Sequence, residues 1–206
     1  ARYRPMKRIL GALLATIGIS IASSATAGNI ADVGRLLTQA PLVCGTFTQT
    51  KFLTALTRPL VSEGRMIFAS GAGILWKIKS PFPSQVLVKA DALIRWNDNN
   101  VPQRTGFGQS PEFRALADVF FAVFAGNTEG LATAFHTSAT VGPKSWALNL
   151  KPRDSRFAAR IAKIEVSGGR FVREFRIVEG QGDRTEIRFK DLTAVDCVVT
   201  NAEKEF

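Results

Sequence analysis

The chain has 206 residues, 46% of them hydrophobic and 21% charged, and no repeat, low-complexity run or linker divides it, which argues against more than one domain. Its formal net charge of +10 suits an anionic lipid surface or an acidic partner, or simply keeps the protein soluble. No stretch combines aromatic and basic side chains as a nucleic-acid-binding motif does, so nucleic acid is not expected as a partner.

Residues 1–27 have the pattern of a secretory signal peptide. Met6-Lys7-Arg8 is a basic start, residues 9–21 are an apolar core too short to span a membrane comfortably, and residues 25–27 form a small-residue cleavage site. We predict a start at Met6, cleavage after Ala27 and a single mature domain over residues 28–206. An uncleaved N-terminal anchor is the alternative.

Two further observations concern the exported product. Position 28 is glycine and not a cysteine that could be lipidated, so the product is predicted to be soluble after export. Cys44 and Cys197 are the only cysteines, and an even count in an exported chain favours a disulfide. This bond would join the first strand to the end of the last one; two buried free thiols are the alternative.

A first helix is predicted from Asn29, its N-cap, to Ala40, with Pro41 ending it. The stretch from Thr46 to Lys89 then predicts three or four antiparallel strands. Apolar side chains alternate with polar ones there at a period of two, which indicates a sheet with one apolar and one solvated face. Pro81 and Pro83 interrupt the strands.

The next segment leads out of the sheet and into a helix. A short strand over residues 93–96 precedes a turn at residues 97–100 and a loop. From Pro111 the period changes to 3.6, with Ser110 as the predicted N-cap and Gly126 as the stop. One stripe of this helix carries the apolar residues Phe113, Leu116, Ala117, Phe120, Phe121 and Phe124.

A second short helix is predicted from Asn127 to His136, and both helices are expected to cover the apolar face of the sheet. Strands resume at Trp146 and continue through hairpins that turn at Gly168-Gly169 and at residues 180–183. The predicted fold class is therefore α+β: a strongly curved antiparallel sheet of about 10 to 11 strands, an unclosed β-barrel, with helices covering its concave face as a lid.

No catalytic residue, metal site or cofactor is predicted. The sequence lacks a nucleophile elbow and a phosphate-binding loop, and its one histidine, His136, has no second metal-type ligand at a useful spacing. The position of His136 after an apolar helix is more typical of a helix C-terminus than of a catalytic base.

Several short segments stand in a characteristic order along the mature chain. They are Phe47-Thr48-Gln49, Glu63-Gly64, Ile74-Leu75-Trp76, Pro81, Gln85-Val86-Leu87-Val88, residues 146–152 and residues 186–192. Each segment alone is weak evidence for a family. Together, in this order and spacing, they resemble the sequences of the periplasmic outer-membrane lipoprotein carrier proteins, the LolA family.

The resemblance implies a periplasmic protein that holds the acyl chains of lipoproteins, or of a related acylated lipid, in a hydrophobic cavity. It implies transport from the inner to the outer membrane, with an inner-membrane transporter that loads the carrier and an outer-membrane receptor that unloads it. A monomer is expected. A periplasmic sensing or interaction module without a transport role is the alternative, and a lipid-modifying enzyme is a third reading, for which His136 would be the test.

The cavity is expected to be lined by apolar residues of both the sheet and the lid. They are Met66, Phe68, Ile74, Trp76, Ile78, Val86, Val88, Trp96, Phe113, Leu116, Phe120, Phe121, Phe124, Trp146 and Leu148. For any single one of them, ordinary core packing is the alternative, because inward-facing strand and helix residues usually just pack.

One departure from the family pattern concerns the lid. Typical members have an arginine-proline pair in the hairpin before the tryptophan, and that arginine latches the lid by hydrogen bonding. This chain has Ser70-Gly71 at that place. Either another side chain holds the lid, with Arg65, Arg95 and Arg173 as candidates, or the chain is a divergent paralogue that carries a different lipid.

Overall fold

A computed structural model describes residues 26–96, 101–109 and 111–200, and its main feature is one antiparallel sheet of twelve strands. In chain order the strands are β1 (Thr26–Gly28), β2 (Leu42–Phe52), β3 (Leu60–Ala69), β4 (Gly73–Ser80), β5 (Ser84–Val88), β6 (Ala92–Trp96), β7 (Pro102–Gly106), β8 (Phe135–Val141), β9 (Trp146–Pro152), β10 (Ile161–Gly168), β11 (Val172–Glu179) and β12 (Arg184–Thr193). Their order in space is β1-β8-β9-β10-β11-β12-β2-β3-β4-β5-β6-β7. Because β1 and β7 are edge strands, the sheet is not closed into a barrel, and the predicted fold class is confirmed.

Within the residues that the structure describes, three α-helices accompany the sheet: α1 (Ile30–Leu36), α2 (Pro111–Ala125) and α3 (Ser155–Arg160). Asn29 caps α1 as predicted, since its side chain accepts a hydrogen bond from the backbone N–H of Asp32 and the Asp32 carboxylate accepts one from the N–H of Asn29. This helix ends at Leu36 and not at Ala40, because Leu37 is extended and the N–H of Thr38 already donates to the carbonyl of Arg170.

Helix α2 begins at Pro111 and ends at Ala125, as predicted, and Gly126 follows it with a φ of +73°. The predicted N-cap Ser110 and the predicted turn at residues 97–100 lie outside the described residues.

Two other predictions are wrong. The segment predicted as a loop after the turn contains β7, an edge strand that pairs with β6 from Pro102 to Gly106. The predicted helix ending near His136 is a 3-10 turn, Glu129–Thr133, followed by β8. His136 is therefore a strand residue, paired with Lys151 of β9, and not the end of a helix.

The inner face of the sheet and α2 form the main core. Strand side chains such as Phe47, Phe68 and Phe175 are almost fully buried there. Phe124 of α2 contacts two strands at once, with ring centroids 6.0 Å from Phe68 and 5.4 Å from Phe189. These aromatic contacts fix the helix against the sheet.

The outer face of β2 to β6 carries a second, smaller core, although the sequence predicts a solvated face there. Ile67, Leu75 and Leu87 are buried beside Cys44. Residues 194–200, which we call the C-terminal strap, cover them: Cys197 is bonded to Cys44 in a disulfide with the Cα atoms 5.6 Å apart. Val199 packs against the same cluster.

Gly64 of β3 lies where no side chain fits. An added Cβ would overlap the carbonyl oxygen of Lys77 and lie 2.7 Å from Cζ of Phe47. We expect Gly64→Ala to lower the free energy of unfolding by about 3 kcal/mol, as severe overpacking does, measured by urea denaturation. Gly130→Ala is the control, because a Cβ there meets nothing within 4 Å. Equal effects of the two substitutions would contradict this packing.

Candidate functional site

A cleft of about 340 Å³ lies between the N-terminal half of α2 and the inner face of the sheet. Its apolar lining comes mainly from β4, β5 and α2, because alternate residues of each strand and one stripe of the helix face the same space. These residues are Ile74, Trp76, Val86, Val88, Phe113, Leu116 and Phe120, with Ile177 and Ile187 from β11 and β12.

Aromatic rings form one wall of the cleft. Phe120 stacks on Phe175 at a centroid distance of 4.2 Å and meets Trp76 edge-on at 6.2 Å. Trp76 in turn stacks on Phe47 at 3.8 Å and meets Phe189 edge-on at 6.0 Å. The two edge-on contacts are a favourable arrangement of aromatic rings, and together with the stacked pairs they pack α2 against the sheet.

The lining also contains polar side chains, namely Gln49 and Lys51 of β2, Arg95 of β6 and Thr185 of β12. The ammonium of Lys51 lies 4.0 Å from the Glu179 carboxylate. An apolar cleft that also carries two cations can hold a hydrocarbon chain and place an anionic or polar group beside it.

The Asp183 carboxylate connects two loops near Lys51 by hydrogen bonds: the turn between β11 and β12 and the loop that follows β2. In the turn between β11 and β12, its carboxylate accepts hydrogen bonds from the Thr54 backbone N–H at 2.7 Å and from the Thr54 hydroxyl at 3.0 Å. These two hydrogen bonds lower the pKa of Asp183, and the charge of Lys51 acts in the same direction.

The two hydrogen bonds of the Asp183 carboxylate predict that the free energy of unfolding depends on pH. Because the pKa of Asp183 is lower in the folded protein than its unfolded value of about 3.9, the stabilisation exists above that pH and is lost as the pH falls through the folded pKa. We expect Asp183→Ala to lower the melting temperature at pH 7, and the difference from the natural chain to shrink below about pH 4. Asp183→Asn, which keeps a hydrogen-bond acceptor, should lower the melting temperature at pH 7 less than Asp183→Ala does. A difference that stays constant over this pH range would contradict the assignment.

The predicted cavity residues divide between the cleft and its surroundings. Those in the cleft are Ile74, Trp76, Val86, Val88, Phe113, Leu116 and Phe120. Phe113 is 51% exposed, so it is accessible from solvent. Those buried in the main core away from the cleft are Met66, Phe68, Phe124, Trp146 and Leu148, with Ile78 and Phe121 packed against that core.

Trp96 does not line the cleft, in contrast to its prediction as a cavity residue. It packs on the outer face of the sheet against the cluster of Ile67, Leu75 and Leu87. Leu93 and Arg95 of the same strand line the cleft instead, because side chains along a strand point alternately to opposite faces.

The predicted cavity lining omits several cleft residues: Gln49, Lys51, Leu93, Arg95, Phe107, Ala117, Ile177, Thr185 and Ile187. A signal for two of them exists in the sequence. Gln49 and Lys51 follow the buried Phe47 at a period of two, so all three side chains belong to one face of β2.

Of the three candidate latch arginines, Arg95 is the one in the cleft. The Arg65 guanidinium donates to the carbonyl of Val198 in the C-terminal strap, on the outer face. Arg173 lies at the start of β11, beside Gly169. Ser70-Gly71 forms the β3–β4 turn, where Gly71 has a φ of +79° that suits glycine.

Within the described ranges, no helix is long and apolar enough to cross a membrane. In the same residues, no group of three or more His, Cys, Asp and Glu side chains is arranged to hold a metal ion.

Comparison with known proteins identifies the family. The sequence model described as outer membrane lipoprotein carrier protein LolA-like matches residues 22–203. A crystal structure of a LolA superfamily protein from Nitrosomonas europaea is 8% identical with a TM-score of 0.43, over 82% of this chain and 93% of that one. A DUF1329 family protein from Desulfovibrio piger is 9% identical with a TM-score of 0.49, over 84% and 93%.

The MucA/MucB complex of Pseudomonas aeruginosa gives 12% identity and a TM-score of 0.39, over 84% of this chain and 57% of that one. No curated protein sequence matches. The family match spans most of the sequence, and the chain therefore belongs to the outer membrane lipoprotein carrier protein LolA-like family.

Proposed function

We propose that this protein is a periplasmic carrier that buries an acyl chain of a lipoprotein, or of a related acylated lipid, in the cleft beneath α2. The observation that carries this proposal is the apolar cleft itself, which α2 and the inner sheet face form together in a chain of the LolA-like family. The proposal includes cleavage after Ala27 and a mature domain over residues 28–206; this cleavage would leave only Gly28 of β1 and make β8 the edge strand of the mature sheet.

Energetics restrict how the cleft can hold its cargo. Burial of apolar groups contributes about 0.8 kcal/mol per methylene, so a fully buried long acyl chain would contribute on the order of 10 kcal/mol. A carrier that retained all of that could not release its cargo at a useful rate. A cleft of about 340 Å³ that leaves Phe113 half exposed favours partial burial and exchange.

The polar side chains give the acylated molecule an orientation. With the hydrocarbon against Trp76 and Phe120, the ester and backbone oxygens of a lipoprotein can lie beside Lys51 and Arg95. Binding and release then require only non-covalent contacts and a shift of α2. An inner-membrane transporter and an outer-membrane receptor are the proposed partners for loading and unloading.

Native mass spectrometry of the protein, purified from periplasm without detergent, tests the proposal. We expect an adduct that organic extraction removes, and we expect the stripped protein to bind a synthetic triacylated lipopeptide or a free fatty acid again. Identification of a lipoprotein would assign general lipoprotein sorting, whereas a free acyl lipid would assign a specialised paralogue. Failure of the stripped protein to bind either probe would overturn the proposal.

A transfer assay separates carrying from sensing. The protein is incubated with donor vesicles that contain the lipopeptide and with acceptor vesicles that do not. A carrier should increase the rate at which the lipopeptide reaches the acceptor vesicles. Binding without any such increase would favour a sensing module instead.

A further inference from the structure

Strands β11 and β12 separate at one end of the sheet. The pairing between β11 and β12 stops at Glu174 and Arg188. Beyond this point, β12 still pairs with β2 as far as Thr193, and β11 still pairs with β10 as far as Val172. A register shift between Lys190 and Thr193 interrupts β12 at this point, and such irregularities bend a strand. A cavity of about 970 Å³ opens here, which we call the splayed-strand cavity.

The inner wall of this cavity is apolar. Leu36 at the end of α1, Phe171, Val172, Phe189 and Leu192 contribute to it. Phe189 is 7% exposed and packs edge-on against Phe124, so it joins this wall to the main core. Hydrocarbon bound here would therefore leave water for a surface that is already apolar.

The rim of the cavity is cationic. Five basic residues line it, Lys144, Arg170, Arg173, Arg188 and Lys190, against two acidic ones, Glu174 and Asp191. The Glu174 carboxylate lies 3.6 Å from Arg176 and 3.8 Å from Arg188, so arginines already neutralise it. The other four cations form no ion pair within the described part of the chain.

We propose that the splayed-strand cavity is a second ligand site, which binds an amphiphile with one hydrocarbon chain and an anionic phosphate or carboxylate headgroup. The apolar wall matches the chain, and the excess of cations at the rim matches the headgroup. Its volume lies within the range of small-molecule sites, roughly 300 to 1,000 Å³.

This site is separate from the cleft beneath α2. Phe189 lines the splayed-strand cavity and Trp76 lines the cleft, and their rings meet edge-on at 6.0 Å, so an aromatic partition stands between the two. The proposal therefore does not depend on the proposed function of the cleft.

Calorimetric titration of the mature chain tests the proposal. The three ligands are dodecyl phosphate, dodecyl maltoside and inorganic phosphate, and both amphiphiles are used below their critical micelle concentrations. We expect dodecyl phosphate to bind at least tenfold more tightly than either of the other two. Measured in a Phe113→Glu background, so that the cleft contributes little to binding, Arg170→Glu/Arg173→Glu should abolish that preference, because both side chains are exposed at the rim. Folding of each variant is checked by its melting temperature.

Two control variants make the result specific. Arg58→Glu/Arg156→Glu changes the net charge equally at exposed positions outside both cavities, and it should leave the preference intact. Phe113→Glu, which alters the cleft, should leave it intact as well. The proposal is overturned if Phe113→Glu loses the preference for dodecyl phosphate and Arg170→Glu/Arg173→Glu in the otherwise natural chain keeps it. That result would mean that dodecyl phosphate binds in the cleft and that the splayed-strand cavity is not a second site.

Other outcomes also contradict the proposal. Inorganic phosphate that binds as tightly as dodecyl phosphate would show a simple anion site. Binding to phosphatidylglycerol vesicles without any binding of monomeric dodecyl phosphate would show a membrane-docking surface in place of a site for a single amphiphile.

Discussion

The double variant Cys44→Ser/Cys197→Ser is expected to lose about 4 to 5 kcal/mol of unfolding free energy, because the disulfide closes a very long loop in the unfolded chain. The two cysteines are 153 positions apart, and in the chain-entropy model the stabilisation increases with loop length. Urea denaturation of the oxidised natural chain and of the variant measures the difference.

A second effect of the variant is structural. The disulfide holds the C-terminal strap over Ile67, Leu75 and Leu87, so its loss should expose this outer cluster and increase the binding of a hydrophobic dye. Reduction of the natural chain should reproduce both effects. Val195→Ser is the control, because Val195 is 89% exposed. A loss below about 1 kcal/mol would mean that the disulfide contributes little and that other contacts hold the strap.

The outer cluster also shows what sequence patterns alone leave out. Alternation in β3 and β4 predicts the inner face correctly, because that pattern is local and depends only on the pleat. Ile67 and Leu75 lie on the opposite face, and their cover comes from residues 194–200, more than a hundred positions away in sequence. Period-two alternation carries no information about such a distant partner.

Long-range pairing also explains the helix that proved to be a strand. Leu131 and Phe135 are four positions apart, a spacing typical of one helix face. Phe135 instead pairs with Pro152 of β9 and is fully buried in the main core. The tertiary contacts of β8 therefore override the local preference. By contrast, α2 could be predicted because Pro111 and Gly126 mark its ends locally.

Strand β7 was missed for a different reason. Proline and glycine at its two ends, Pro102 and Gly106, are typical of a loop. β7 is an edge strand, and edge strands tolerate proline because one side of the strand needs no hydrogen-bonding partner.

The sequence predicts the cleft lining in part, and its errors concern which apolar residues face the cleft. Trp96 is predicted to line the cavity, yet it alternates with Arg95, which lines the cleft. Counting alternation along β6 would have placed Trp96 on the outer face. Which apolar residues face a cleft and which are packed solidly depends on how α2 lies on the sheet, and this placement is not encoded in any local pattern.

Phe120→Glu is expected to weaken the binding of an acylated probe on the order of 100-fold, equivalent to losing contact with three or four methylenes at about 0.8 kcal/mol each. The new carboxylate would lie where the Phe120 ring now stacks on Phe175 and meets Trp76. An acyl chain bound there would have to remove water from that charge, which is unfavourable without a partner.

Phe121→Glu should behave differently, although Phe121 is adjacent in sequence and was predicted in the same cavity. Phe121 does not line the cleft, and its ring centroid lies 6.5 Å from that of the buried Phe68. We therefore expect Phe121→Glu to lower the melting temperature. The fraction of the variant that stays folded should bind the acylated probe with nearly the affinity of the natural chain.

Because Phe120 also contributes to the main core, its variant could lose binding by unfolding, and a companion variant separates the two effects. Phe113 lines the cleft but is 51% exposed, so Phe113→Glu should fold normally and bind the fatty acid or lipopeptide about tenfold more weakly, a loss of about 1.4 kcal/mol. Phe82→Glu is the matched control, since Phe82 is 81% exposed in the turn after β4 and outside the cleft. If Phe113→Glu binds like the natural chain and Phe120→Glu fails only where its melting curve shows unfolding, the space beneath α2 is ordinary core and the acyl chain must bind elsewhere.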